Sequence, residues 1–283
     1  MITSTFLTAW CVLWATATAA PTGQATKRQV RTPTKINECV PDEDKKWQPA
    51  MDYDTDSCYN SPAIDQYGKL NYGMDVCYAW TTEGYCRDEW DLDNMNVYSR
   101  ARCNNGWCAY MYAYYFEKDQ ISLCLGHQHD WEHVVVFVQD GVPKFVSISV
   151  HGQYERRKWE DIYKQGTHPR IVYHKDGMSS HALRFAKPKD AIPENHWNSL
   201  ILGDLVGWNG FPSTAIRDKM TTHSWGDKAK MDFTDLRFKG ALGRAIDAQG
   251  AKPRGVIKMD TAVDDGSPGM PKHCPNHFWP IHD

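Results

Sequence analysis

The stretch "LGHQHDWEHVVVF", Leu125 to Phe137, holds three histidines and two carboxylates between His127 and His133, and an apolar β-branched run follows at once. These side chains ligate metals and move protons. On an extended chain they alternate between two faces, so Asp130 and Glu132 share one face while Trp131 and His133 take the other. Two carboxylates side by side repel unless something positive sits between them. A hard divalent cation, held by carboxylate oxygens and water, meets that need. His127 has the wrong parity for the carboxylate face, but it follows Gly126, where the chain can turn and bring the imidazole in. One imidazole among carboxylates suits Mg²⁺, Ca²⁺ or Mn²⁺ better than structural Zn²⁺. His129 falls with Trp131 and His133 by parity and reads as a hydrogen-bonded structural histidine.

"YYFEKDQ" carries Glu117 and Asp119, and a short connection to Gly126 can return Asp119 to the same strand end. Spacing alone describes an ordinary solvated strand end equally well, for Glu117 above all. "HDWEH" also fits H-x-x-E-H, the inverted zinc-peptidase pattern. That chemistry needs a helix with His129 and His133 on one face, and the following "VVVFV" favours a strand. Glycosidase chemistry wants two carboxylates on opposed walls rather than adjacent on one face. Other metal-assisted hydrolysis stays open.

The elements that must position these groups are mostly strands. "WCAYMYAYYFE" is a long buried strand, and "HVVVFVQDGVPKFVSISVHG" is a pair of strands joined by Asp140-Gly141. "RIVYH" and "HALRFA" are shorter strands around the turn "KDGMSS". Ser213 is the expected N-cap of one helix. A second helix is expected in "DFTDLRFKGALGRAI", with Phe233, Leu236, Phe238, Leu242 and Ile246 on its apolar face. A Pro- and His-rich tail starts at Asp264. The class is mainly β, a β-sandwich with a few peripheral helices.

The chain has 283 residues, 41% of them hydrophobic, and a net charge of −3. No global basic field points to nucleic acid. Residues 1–20 carry no charge and end in a small-residue pattern, as a secretory signal peptide does. Residues 21–35, with a dibasic Lys27-Arg28, are an expected propeptide or order-poor segment, and 36–283 an expected single domain. Of nine cysteines, Cys11 would leave with the signal peptide. The remaining eight form an even set in an exported chain, and no CxxC spacing suggests zinc. All eight are expected in disulfides, and Cys103 and Cys108 are close enough to close a small loop. Seven of the eight precede residue 125, so the N-terminal half is the stapled half and the C-terminal half is expected to rely on packing.

"GHQHDWE" resembles the signature heptapeptide GHRHDWE of the necrosis- and ethylene-inducing-like proteins, which microbes associated with plants secrete. "AYMYAYYFEKDQ" is similar to the family's aromatic strand, and the likeness runs through "SISVHGQY", "HALRFA" and "DFTDLRFKGALGRA", from about Cys58 to Ile246. The resemblance implies a sandwich like that of sea-anemone actinoporins and fungal lectins. It implies a divalent cation, Mg²⁺ or Ca²⁺, on Asp119, His127, Asp130 and Glu132, with His151, His181 and Gln128 around the binding pocket. It implies a Cys58–Cys86 bridge. It also implies a monomer that binds glycosyl inositol phosphoryl ceramide on plant plasma membranes and damages them without enzymatic turnover. Plant immune receptors detect some members, through a peptide that Ala109–Gln120 resembles. Gln128 replaces the family's Arg, and the eight cysteines resemble the cysteine-richer second type, in which toxicity is less uniform. A non-toxic glycan-binding relative and a secreted metal-dependent hydrolase are the alternatives.

Overall fold

The computed structural model describes residues 32–77, 85–248, 255–271 and 274. The expected signal peptide and the Lys27-Arg28 pair lie outside the described residues. Thr32–Lys35 belong to the packed body: the Thr32 hydroxyl donates to Glu117, and the Lys35 amide donates to Asn94 Oδ1 over 2.8 Å.

In chain order the elements are α1 (Asp42–Lys46), β1 (Ala50–Tyr53), β2 (Asn96–Asn104), β3 (Trp107–Ser122), β4 (Leu125–Gln139), β5 (Val142–Val150), β6 (Gln153–Lys158), β7 (Lys164–Gln165), β8 (His168–Lys175), β9 (His181–Phe185), β10 (Asp204–Gly207), α2 (Thr214–Thr222) and α3 (Asp235–Ile246). Two sheets form. The larger runs β10-β2-β3-β4-β5-β6, and in the smaller β8 pairs with β1, β7 and β9. β10 lies parallel to β2, and β1 parallel to β8; the other pairings are antiparallel.

Between the sheets lies the main core. Tyr112, Tyr114, Phe116, Val134 and Val136 meet Tyr53, Ile171, Tyr173, Leu183 and Phe185 there. The outer face of the larger sheet is also covered. Ala109, Met111, Val135 and Phe137 pack under α3, while Tyr98, Ala113, Tyr115 and Trp131 pack under α2 and the chain after it. A sheet buried on both faces needs apolar residues at every position, which is why β3 and β4 read as unbroken apolar runs. The Asp140-Gly141 hairpin forms as expected, with both residues at positive φ. Ser213 caps α2 by accepting from the Ile216 amide.

Two expectations change. Leu236 is 93% exposed, and Phe233 is buried ahead of α3 rather than within it. The buried stripe of α3 is Phe238, Ala241, Leu242 and Ala245. Its alanines let the helix lie close on β5 and β6, and their small side chains carry little apolar signal in the sequence. The C-terminal half is not held by packing alone either. All eight cysteines pair, as Cys58–Cys86, Cys103–Cys108, Cys77–Cys124 and Cys39–Cys274. The last ties the start of the body to the tail across 235 positions. Each bridge contributes on the order of 2–4 kcal/mol.

Candidate functional site

β3 and β4 lie side by side, with Phe116 opposite Asp130, Lys118 opposite Gln128 and Asp119 opposite His127. The pair Glu117–His129 is missing from that ladder, and His129 takes φ +61. This left-handed residue resets the alternation, so Asp119 and His127 arrive on the side where Asp130 already points. Ligand atoms of Asp119, His127 and Asp130 all lie within 4.8 Å of one another. Sequence parity placed the necessary turn at Gly126; the turn that brings His127 in is at His129. Gly126 is still required, because at φ +136 a Cβ there would sit 2.1 Å from the Asp119 carbonyl oxygen.

The hydrogen bonds aim each group. His127 Nδ1 lies 2.7 Å from the His129 carbonyl, which can only accept, so Nδ1 carries the proton. The Nε2 lone pair is left facing the carboxylates, 3.4 Å from Asp119 Oδ2. Asp119 Oδ1 accepts from the His181 amide and from its ring Nδ1, both at 2.8 Å. Asp130 accepts from Trp131 N at 2.9 Å and from the Tyr173 hydroxyl at 3.0 Å. Glu132 accepts from the Ser149 hydroxyl, which itself accepts from the His133 amide at 2.7 Å. Glu132 lines the same cavity but stands outside the tight group of Asp119, His127 and Asp130.

The electrostatics fit a cation. Burial, then the charge of Asp119, pushes the Asp130 carboxyl up to about 7. Burial, then Asp130, raises Glu132 well above the usual carboxylate range. Burial disfavours charge on His181, but the carboxylates of Asp119 and Asp56 outweigh it and raise the imidazole to about 9. His181 Nε2 is buried without a hydrogen bond, 3.8 Å from Asp56. Crowded carboxylates with an aimed imidazole nitrogen are the donor set of a hard divalent ion.

The remaining predicted residues separate. His151, at the turn after β5, lines the cavity with Nε2 3.0 Å from Asp176. His181 lines it as well. Gln128 does not belong to the pocket: register sets it opposite Lys118, and its amide donates to the Tyr72 carbonyl. Glu117, read as a solvated strand end, is buried and accepts from Asn71 and Thr32. His129 is the structural histidine expected from parity. Its Nδ1 meets the Tyr115 hydroxyl at 2.6 Å, and its ring packs against Trp225. His133, also on the outer face, accepts the Asp232 amide at 3.0 Å. Burial, the leading cause for each, holds both rings down at about 4.

The cavity encloses about 290 Å³. Facing the acidic wall is a second wall of Lys228, Lys230, Arg237 and Arg244, with Asp227 and Asp232. None of these was singled out from sequence. The available signals were weak: Lys228 and Lys230 flank Ala229, and Arg237 and Arg244 stand two helical turns apart.

Comparison with known proteins agrees with this geometry. The family described as Necrosis inducing protein (NPP1) matches residues 42–245. NLP effector protein 3 of Plasmopara viticola is 31% identical over 196 residues, 67% of this chain and 80% of its own. NLP effector protein 7 of Phytophthora capsici is 30% identical over 197 residues, 68% of this chain; the chain spans only 57% of that relative. A solved structure described as a toxin fold for microbial attack and plant defence has a TM-score of 0.63 at 26% identity, covering 76% of this chain and 96% of its own. NLPPya in complex with mannosamine gives the same values. The non-toxic HaNLP3 protein gives 0.62 at 27% identity, covering 75% and 96%. The matched span includes the heptapeptide and both walls of the cavity, and the chain belongs to the necrosis inducing protein family.

Proposed function

We propose that the protein is a secreted effector that binds a divalent cation, Mg²⁺ or Ca²⁺, through Asp119, His127, Asp130 and Glu132. With it the cavity holds the sugar head group of glycosyl inositol phosphoryl ceramide on plant plasma membranes, and membrane damage follows. The convergence of Asp119, His127 and Asp130 at the wall of a sugar-sized cavity carries this reading. NLPPya complexes with mannosamine and glucosamine support a glycan ligand. Four disulfides suit an oxidising, extracellular setting.

The bound ion would supply positive charge to the carboxylates and a Lewis-acidic contact for sugar hydroxyls. The chain's own residues orient and bind. His181 fixes Asp119, Tyr173 fixes Asp130 and Ser149 fixes one oxygen of Glu132. The activity is binding without turnover.

A second reading is a non-toxic family member with the same pocket. The likeness to HaNLP3, equal to that of the toxin-fold structure, favours it. Dye leakage from vesicles with and without the sphingolipid, each with and without chelator, tests both. Chelator-sensitive leakage from sphingolipid vesicles alone is the expected result. Binding without leakage selects the second reading, and absence of binding overturns both. Chelator-sensitive turnover of a glycoside or phosphodiester would instead make the protein a hydrolase.

A further inference from the structure

The cavity has two walls of opposite charge, and the proposed function uses only one. The second wall comes from the loop after α2 and from α3. Asp232 is its hub. Oδ1 accepts from Arg237 Nε at 3.0 Å, and Oδ2 accepts from Arg244 Nη2 and, at 3.1 Å, from the Tyr154 hydroxyl. One carboxylate therefore serves two guanidinium groups. The Arg244 Nε is buried with no hydrogen-bond partner. Lys228 and Lys230 are exposed at the same cavity and have no carboxylate partner among the described residues. Four cationic side chains against Asp227 and Asp232 leave a formal excess of two positive charges on this wall (4 − 2 = 2).

A neutral sugar would leave that excess charge unused. Guanidinium and ammonium groups converging on one cavity suit an oxyanion, which accepts charge-assisted hydrogen bonds from several donors at once. We infer that Lys228, Lys230, Arg237 and Arg244 form an anion subsite, so that the cavity takes an acidic saccharide: hydroxyl or amino groups toward Asp119 and Asp130, and a phosphate or carboxylate toward the basic wall. This rests on the glycan-binding reading above and adds the charge class of the ligand.

The test titrates the full chain calorimetrically, with Mg²⁺ or Ca²⁺ present, using glucosamine, glucosamine 6-phosphate, glucose and glucuronate. The anionic sugar of each pair should bind about tenfold tighter or better at low salt, and the advantage should shrink as salt rises. The phosphate pair against the carboxylate pair tells which anion the subsite prefers. Lys228→Ala with Lys230→Ala should remove most of the advantage and leave glucosamine affinity unchanged. Both side chains are exposed, so the fold should hold. Arg237→Gln is a second variant that keeps Arg244 on Asp232. Equal affinity for neutral and anionic sugars overturns the subsite alone. An advantage that survives both variants also overturns it, because the anion then sits elsewhere, on the cation included. If the ion binds and no sugar does, the glycan reading itself fails and the subsite falls with it.

Discussion

His127 and His129 stand two residues apart on β4, yet one ring faces carboxylates and the other faces aromatic rings. The inward region of the heptapeptide gathers Asp119, His127 and Asp130 beside Glu132. The outward region buries His129 and His133 among Tyr115, Trp131 and Trp225 or against the Asp232 backbone. Both regions put titratable groups in a low-dielectric setting. In the outward region burial drives the groups neutral, and each imidazole is satisfied by one hydrogen bond. In the inward region the repulsion between carboxylates has no protein counter-charge sufficient to relieve it. Burial makes a histidine structural when its partners are neutral, and makes a carboxylate a ligand when its neighbours share its sign.

The largest effect should come from the inward region. Asp130→Asn keeps the shape that Tyr173 and Trp131 bond, but removes a charged ligand. It should weaken Mg²⁺ or Ca²⁺ binding beyond the roughly 100-fold that loss of an outer-sphere partner costs. Calorimetric titration reads this, and binding as tight as the parent's would break the contrast between the two regions. The pH dependence of the chelated protein tests the same point. Asp130, raised from 3.8 to about 7, contributes stability that is present below pH 3.8 and lost as pH rises through 7. Asp130→Asn should therefore lose less stability than the parent between those limits, by urea denaturation.

Next in size, His133→Ala should cost about 2–4 kcal/mol, from a cavity and an unpaired Asp232 amide, while the ion affinity stays unchanged. Its pH signature is opposite in sign. His129 and His133, lowered from 6.5 to about 4, contribute stability that is present above pH 6.5 and lost as pH falls through 4. His133→Gln should shrink that acid loss in the same denaturation series. If His133→Ala instead releases the ion, the outward region is not merely structural.

Tyr173→Phe sharpens the comparison from the side of the smaller sheet. It removes the hydroxyl that orients Asp130 and should weaken ion binding about tenfold, read by the same titration. An unchanged affinity would show that strand geometry alone aims the carboxylate. The smallest effect belongs to Gln128→Ala. With its side chain on the Tyr72 carbonyl and away from the cavity, it should shift stability by about 0.5 kcal/mol or less. It should leave ion binding and vesicle leakage at parental levels. A large loss of leakage would return Gln128 to the pocket.

Much of this protein is legible in the order of its residues. Alternation along Asp130–Val138 separates the two faces, Asp140-Gly141 turns the hairpin, Ser213 caps α2, and the even cysteine set is fully paired. These are local matters, decided by backbone preference and by neighbours a few positions away. The heptapeptide and the aromatic strand, taken together, also marked the family. What tertiary structure alone decided is convergence. Parity within β4 could not show that His129 would take φ +61, or that Asp119 rather than Glu117 would meet His127, because both follow from cross-strand register. It could not turn Gln128 away toward Tyr72, nor set Lys228, Lys230, Arg237 and Arg244 opposite the acidic wall from a hundred or so positions downstream. A strand's periodicity says which side chains share a face. Only the packing of α3 and its preceding loop against the larger sheet says what that face confronts.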